Sequence, residues 1–200
     1  MGFNRLIIGF IFISFNINVI NVNILPDFVG YIFFYFGATS LANSLSNEHF
    51  TFVKHSSRIL IILSIIESFI DYSSVLNNVL NDVQAVHEKI FALIFTLTIT
   101  TLYLFCVYFL FKGIEHEAIK IEDATLQMKS KKTLKLVMFF NVIGIIPLLG
   151  ILFYGNSEIN ISFAAGPLFF IVFLIGMVYV FVKLVTVLKY ANLVLYKNKQ

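Results

Sequence analysis

Glu67 and Asp71 stand one helical turn apart in SIIESFIDYSSVLNN, residues 64–78, whose first half belongs to a run otherwise made of Ile, Leu and Phe. At about 100° per residue, Ser64, Glu67, Asp71, Ser74 and Asn78 would share an arc of about 80° on one helix. Such a face can hydrogen-bond to a neighbouring helix, hold a cation between its carboxylates, or carry a proton. Groups of this kind at membrane depth point into a bundle or a wet cavity, where they meet polar partners. The partners the sequence offers are Ser14, Asn18 and Asn21, the tyrosines Tyr31 and Tyr35, the threonines between 96 and 101, and Asn141.

Other chemistry-bearing residues are sparse. His49 and His55 share one polar connection, His87 lies in another, and His116 sits in EHE. None forms H-E-x-x-H or another ligand spacing, so no metal site is expected. The single cysteine, Cys106, lies in an apolar stretch and reads as a small packing residue. No serine sits in a G-x-S-x-G turn, and no glycine-rich phosphate loop follows a strand. A catalytic set and a cofactor are accordingly not expected. NVIGIIPLLG, residues 141–150, offers a backbone feature instead. Pro147 removes one amide donor and frees the carbonyl of Ile143, while Gly144 weakens the preceding turn, so Gly144 and Pro147 form a candidate kink.

The elements that must position these residues follow from composition. Of 200 residues, 59% are hydrophobic and 12% charged, against about 25% charged in an ordinary soluble domain. Apolar stretches of about 17 to 25 residues recur between short polar connections, the length a hydrocarbon layer demands of a helix. The expected fold is an all-α, polytopic transmembrane bundle in one integral membrane domain, residues 1–200. Its six spans are expected near 6–20, 26–44, 59–76, 90–111, 134–154 and 165–188. Helices are preferred to barrel strands because no sustained alternation is present and a helix satisfies its own backbone in lipid. The first span is the shortest. Its end, NINVINVNI, alternates Asn with β-branched residues, which disfavours helix and predicts an extended approach to Pro26.

Orientation follows from the basic residues. With the N-terminus inside, thirteen of the fourteen Lys and Arg residues fall on the cytoplasmic side and only Lys89 outside. That bias requires an even number of spans and puts both termini in the cytoplasm of a cell-membrane protein. Glu67 lies nine residues beyond Arg58, about 13 to 14 Å deeper along a helix. The charged connection 112–133, KGIEHEAIKIEDATLQMKSKKT, carries Ile114, Ala118, Ile121 and Thr125 at helical spacing. It predicts either an extension of helix four or a helix lying on the membrane surface.

Pro26 and Asp27 open the second span, the proline preset for a first turn and the carboxylate favourable at the positive helix end. The stretch around them, NILPDFVGYIFFYFG at 23–37 after an Asn-rich first span, resembles the N-terminal hairpin of small uncharacterised multi-pass membrane proteins of low-GC Gram-positive bacteria. The resemblance covers about forty residues. It implies a membrane hairpin and carries no activity with it.

Three functions can be built on this frame, the third of them an intramembrane enzyme. A non-enzymatic membrane scaffold or accessory subunit would use the polar face of helix three as a hydrogen-bonded seam. A small proton- or cation-coupled transporter would use Glu67 and Asp71 as working groups beside the kinked fifth helix. The expected partners are the lipid bilayer and other membrane subunits or a second copy of the chain. A nucleic-acid partner is not expected.

Overall fold

Alternating Asn and β-branched residues end the first helix early. In the computed structural model, α1 runs Gly2–Ser14, and two short strands, β1 (Asn18–Val19) and β2 (Val22–Asn23), follow it as an antiparallel pair. The backbone is described for residues 2–14, 18–19, 22–23, 27–80, 86–154 and 165–197, and side chains for 2–14, 27–69, 94–144 and 171–196. Residues 18–19, which the first span was expected to include, are strand and not helix, as the Asn and β-branched alternation of this stretch favours.

Five further helices complete the described chain: α2 (Asp27–Leu45), α3 (Glu48–Leu80), α4 (Val86–Lys120), α5 (Ala124–Tyr154) and α6 (Ala165–Lys197). Each packs on the next, and α1 packs on α6, so the up-and-down order closes into a ring. Four of them, α2, α3, α4 and α6, contain stretches long and apolar enough to cross a membrane. Large apolar side chains face outward: Phe69 is 71% exposed, Phe139 65% and Ile175 62%. Water would penalise that surface and lipid would not.

The connection 112–133 extends helix four, as expected, as far as Lys120, and its remainder opens the fifth helix. Helix α4 continues to Lys120, a short turn follows, and α5 starts at Ala124. The turn rests on Glu122, which adopts a left-handed φ of 57°, and on Asp123. The Asp123 N–H donates to the Ala118 carbonyl at 2.9 Å, closing α4, while its Oδ1 accepts from the Leu126 N–H at 2.7 Å and caps α5. The α2–α3 turn repeats the device. Ser46 has φ 51° and donates to the Ala42 carbonyl at 2.9 Å, and Asn47 Oδ1 accepts from the His49 N–H at 2.9 Å.

Helices α1 and α2 meet backbone to backbone. A Cβ added to Gly9 would lie 2.7 Å from the Gly30 carbonyl oxygen, and one on Gly30 would lie 2.9 Å from that of Gly9. Gly2 and Gly37 repeat the relation, each added Cβ lying 2.9 Å from the other's oxygen. Both pairs are seven residues apart on each helix, two turns of antiparallel contact that only glycine permits. Phe10 and Phe34 close the seam edge-to-face at 4.5 Å, and Phe3 ties it to Phe50 of α3 and Tyr196 of α6, each at 6.5 Å.

Candidate functional site

Because α3 is unbroken from Glu48 to Leu80, Ser64, Glu67, Asp71, Ser74 and Asn78 all lie on one helix. Ser64 is 2% exposed, and its carbonyl accepts the Ser68 hydroxyl at 2.9 Å. Glu67 is half-buried and stands within electrostatic range of Tyr31 on α2. The Tyr31 ring meets that of Tyr103 on α4 at 6.4 Å. About two turns from Ser64 toward the start of α3, Ser57 Oγ donates to the Val53 carbonyl at 2.7 Å and lies 3.6 Å from Cys106 Sγ. The interior between α2, α3 and α4 is thus a file of polar side chains set among apolar ones. The side chains of Asp71, Ser74 and Asn78 lie outside the described residues, as does that of Pro147. Asp27 opens α2 as expected, and its Oδ1 is buried with no hydrogen-bond partner among the described residues.

Gly144 lies inside α5, which is helical through position 147. A Cβ added to it would meet only the Phe173 ring, at 3.8 Å, so close packing does not require glycine there. Asn141, one turn earlier, donates its amide to the Val137 carbonyl at 2.8 Å. Both residues line a cavity between α1, α4, α5 and α6, which Tyr103 also borders.

The densest polar cluster is one that sequence reasoning missed. Asn47, the cap of α3, is 4% exposed, and its Nδ2 donates to Glu117 Oε1 of α4 at 2.6 Å. The same nitrogen lies 3.1 Å from His116 Nδ1 and 3.5 Å from the Gly113 carbonyl. Lys120 adds an ion pair to Glu117 Oε1 at 2.9 Å. Its neighbour Glu115 pairs with Lys112 at 3.1 Å and, across to α5, with Lys131 at 3.3 Å. Ser130 Oγ donates to the Phe111 carbonyl at 2.9 Å, the second bond between α4 and α5. Tyr190 of α6 donates to Asp123 Oδ2 at 3.3 Å, and Lys129 lies over the Tyr190 ring at 4.2 Å.

Both glutamates stand beyond Phe111, where the apolar run of the fourth span ends. Burial pushes each carboxyl up, but the hydrogen bonds and charges of Lys112 and Lys131 outweigh it and hold Glu115 below its ordinary value. Lys120 and Asn47, with His116, do the same for Glu117. Both are carboxylates at neutral pH and act as acceptors that fix the ends of four helices. Among the described residues no group of three or more His, Cys, Asp or Glu could hold a metal ion.

The only sequence signals for this cluster were the capping positions Asn47 and Asp123, each just before a helix. Nothing local connects Asn47 with Glu117, which are 70 residues apart. Compared with family models, with curated proteins and with solved structures, the chain matches none.

Proposed function

We propose that the chain is a six-span protein of the cell membrane, both termini cytoplasmic, acting as a non-enzymatic scaffold or accessory subunit. The observation that carries this reading is the cluster just described. Side-chain bonds cross from the α2–α3 turn to α4, from α4 to α5, and from the α4–α5 turn to α6. A transporter of the alternating-access kind rocks one part of its bundle against another. Here that motion would break charged and buried hydrogen bonds at every step along the proposed cytoplasmic side. Thirteen basic residues against one support the orientation, and four helices long and apolar enough to cross a membrane support the localisation. Its partners in this reading are the bilayer and other membrane subunits or a second copy.

A small proton- or cation-coupled transporter is the second reading, favoured by Glu67 standing half-buried on α3 within electrostatic range of Tyr31. Liposomes holding the purified chain and a pH-sensitive dye separate the two. Under an imposed proton or sodium gradient, the scaffold reading expects flux equal to that of protein-free liposomes, with and without Glu67→Gln. Flux above that level that disappears in Glu67→Gln would replace it with the transporter.

A further inference from the structure

We propose that the cavity between α1, α4, α5 and α6 binds an uncharged, largely apolar small molecule that carries a hydroxyl or carbonyl group. The space is about 340 Å³, within the lower range of small-molecule sites, which run from about 300 to 1,000 Å³. Its walls are mostly apolar, with Phe140 and Phe173 stacked at 4.7 Å and an interplanar angle of 23° on one side. Among the described residues that line it there is no Asp, Glu, Lys, Arg or His. An ionic ligand would enter without a counter-charge, at a desolvation cost that nothing in the wall offsets.

The polar groups in the wall say what the ligand must offer. Ser14, Thr96, Thr100, Tyr103 and Asn141 all border the space. On the same helix, Thr98 and Thr101 satisfy their hydroxyls by donating to the carbonyls of Ile94 and Leu97, at 2.8 and 2.7 Å. The cavity-facing Thr96 and Thr100 make no such bond among the described residues, and neither do the hydroxyls of Ser14 and Tyr103. Asn141 gives one amide N–H to the Val137 carbonyl, which leaves Oδ1 to accept and the second N–H to donate. Hydroxyls that can donate or accept, one amide oxygen that accepts, and an aromatic wall together match a flat, neutral ligand with one or two polar substituents. Water alone could satisfy the hydroxyls, but at about 30 Å³ each several molecules would have to sit against phenylalanine and leucine walls.

The test uses the full chain in nanodiscs and three probes of one shape: 2-naphthol, naphthalene and naphthalene-2-sulfonate, each measured by equilibrium dialysis against empty nanodiscs. Saturable binding of one 2-naphthol per chain is expected, about ten-fold tighter than naphthalene, the ratio one good hydrogen bond supplies, and no saturable binding of the sulfonate. Gly144→Leu, whose side chain would grow past Phe173 into the space, should remove the saturable component, and Asn141→Leu should weaken it about ten-fold. Folding of each variant is read from protection of the buried Cys106 thiol; if Gly144→Leu does not fold, Thr100→Phe takes its place. Uptake of 2-naphthol that never saturates, that is the same in the filled variant, or that the sulfonate matches, overturns the proposal.

Discussion

Gly30→Ala should destabilise the bundle by about 1 to 3 kcal/mol, the range for overpacking a close-packed contact, although alanine in an exposed helix gains about 1 kcal/mol over glycine. The sign turns on what the new Cβ meets: Ile13 Cγ1 at 2.6 Å, the Gly9 carbonyl oxygen at 2.9 Å and Phe12 Cβ at 3.2 Å. A side-chain tip can rotate away, but the Gly9 oxygen belongs to the backbone of α1. The helices must therefore separate, which loosens the neighbouring Gly2–Gly37 contact and the Phe10–Phe34 pair as well. Gly144→Ala is the matched control, with its nearest new contact at 3.8 Å, and should be neutral or stabilising. Unfolding in mixed micelles, followed by labelling of Cys106, compares them directly. Gly9→Ala combined with Gly30→Ala should cost less than the sum of the two, because helices already apart have no contact left to lose. Equal stability of Gly30→Ala and Gly144→Ala would remove the close seam from the account.

Asn47→Leu should cost about 2 to 5 kcal/mol, combining a lost N-cap worth about 0.5 to 2 with a lost hydrogen bond to a charged acceptor worth about 1.5 to 3. It also leaves Glu117, 6% exposed, with Lys120 as its one strong partner. Asn47→Asp sharpens the assignment. It keeps an oxygen to cap α3 but sets a carboxylate where Nδ2 now lies, 2.6 Å from Glu117 Oε1. In the wild type, Glu117 is held below its ordinary value, so its contribution is present at neutral pH and is lost as pH falls through the folded-state value. In Asn47→Asp the two carboxylates repel at neutral pH, and protonation of one relieves them. The gap between variant and wild type should therefore narrow on acidification from pH 7 toward pH 4. A constant gap across that range would mean that Asn47 acts as a cap alone.

What could be read in the sequence was whatever repeats locally. The apolar runs announced helices long and apolar enough to cross a membrane, the Asn-rich stretch after residue 15 announced a break from helix, and the periodicity of Ile114, Ala118, Ile121 and Thr125 announced helical structure after Phe111. The polar stripe of α3 was visible for the same reason, since a face is a property of spacing. The α2–α3 and α4–α5 turns were hidden because Ser46 and Glu122, not glycine, hold the left-handed positions. The glycine seam was hidden differently. Gly2 and Gly9 are seven apart, as are Gly30 and Gly37, but spacing on one helix does not say which helix it faces. The Asn47–Glu117 bond depends on the ends of α3 and α4 arriving at one level, and no window of sequence contains both.

Cysteine accessibility in sealed right-side-out vesicles tests the six-span orientation most directly. In a Cys106→Ala background, single cysteines replace Glu48 and Thr125, both exposed at the turns that carry the polar cluster, and Asp82 and Glu158 in the opposite connections. An impermeant thiol reagent should label positions 82 and 158 in intact vesicles, and positions 48 and 125 only after permeabilisation. Labelling of 48 and 125 from outside, or of all four from the same side, would contradict six spans with both termini in the cytoplasm.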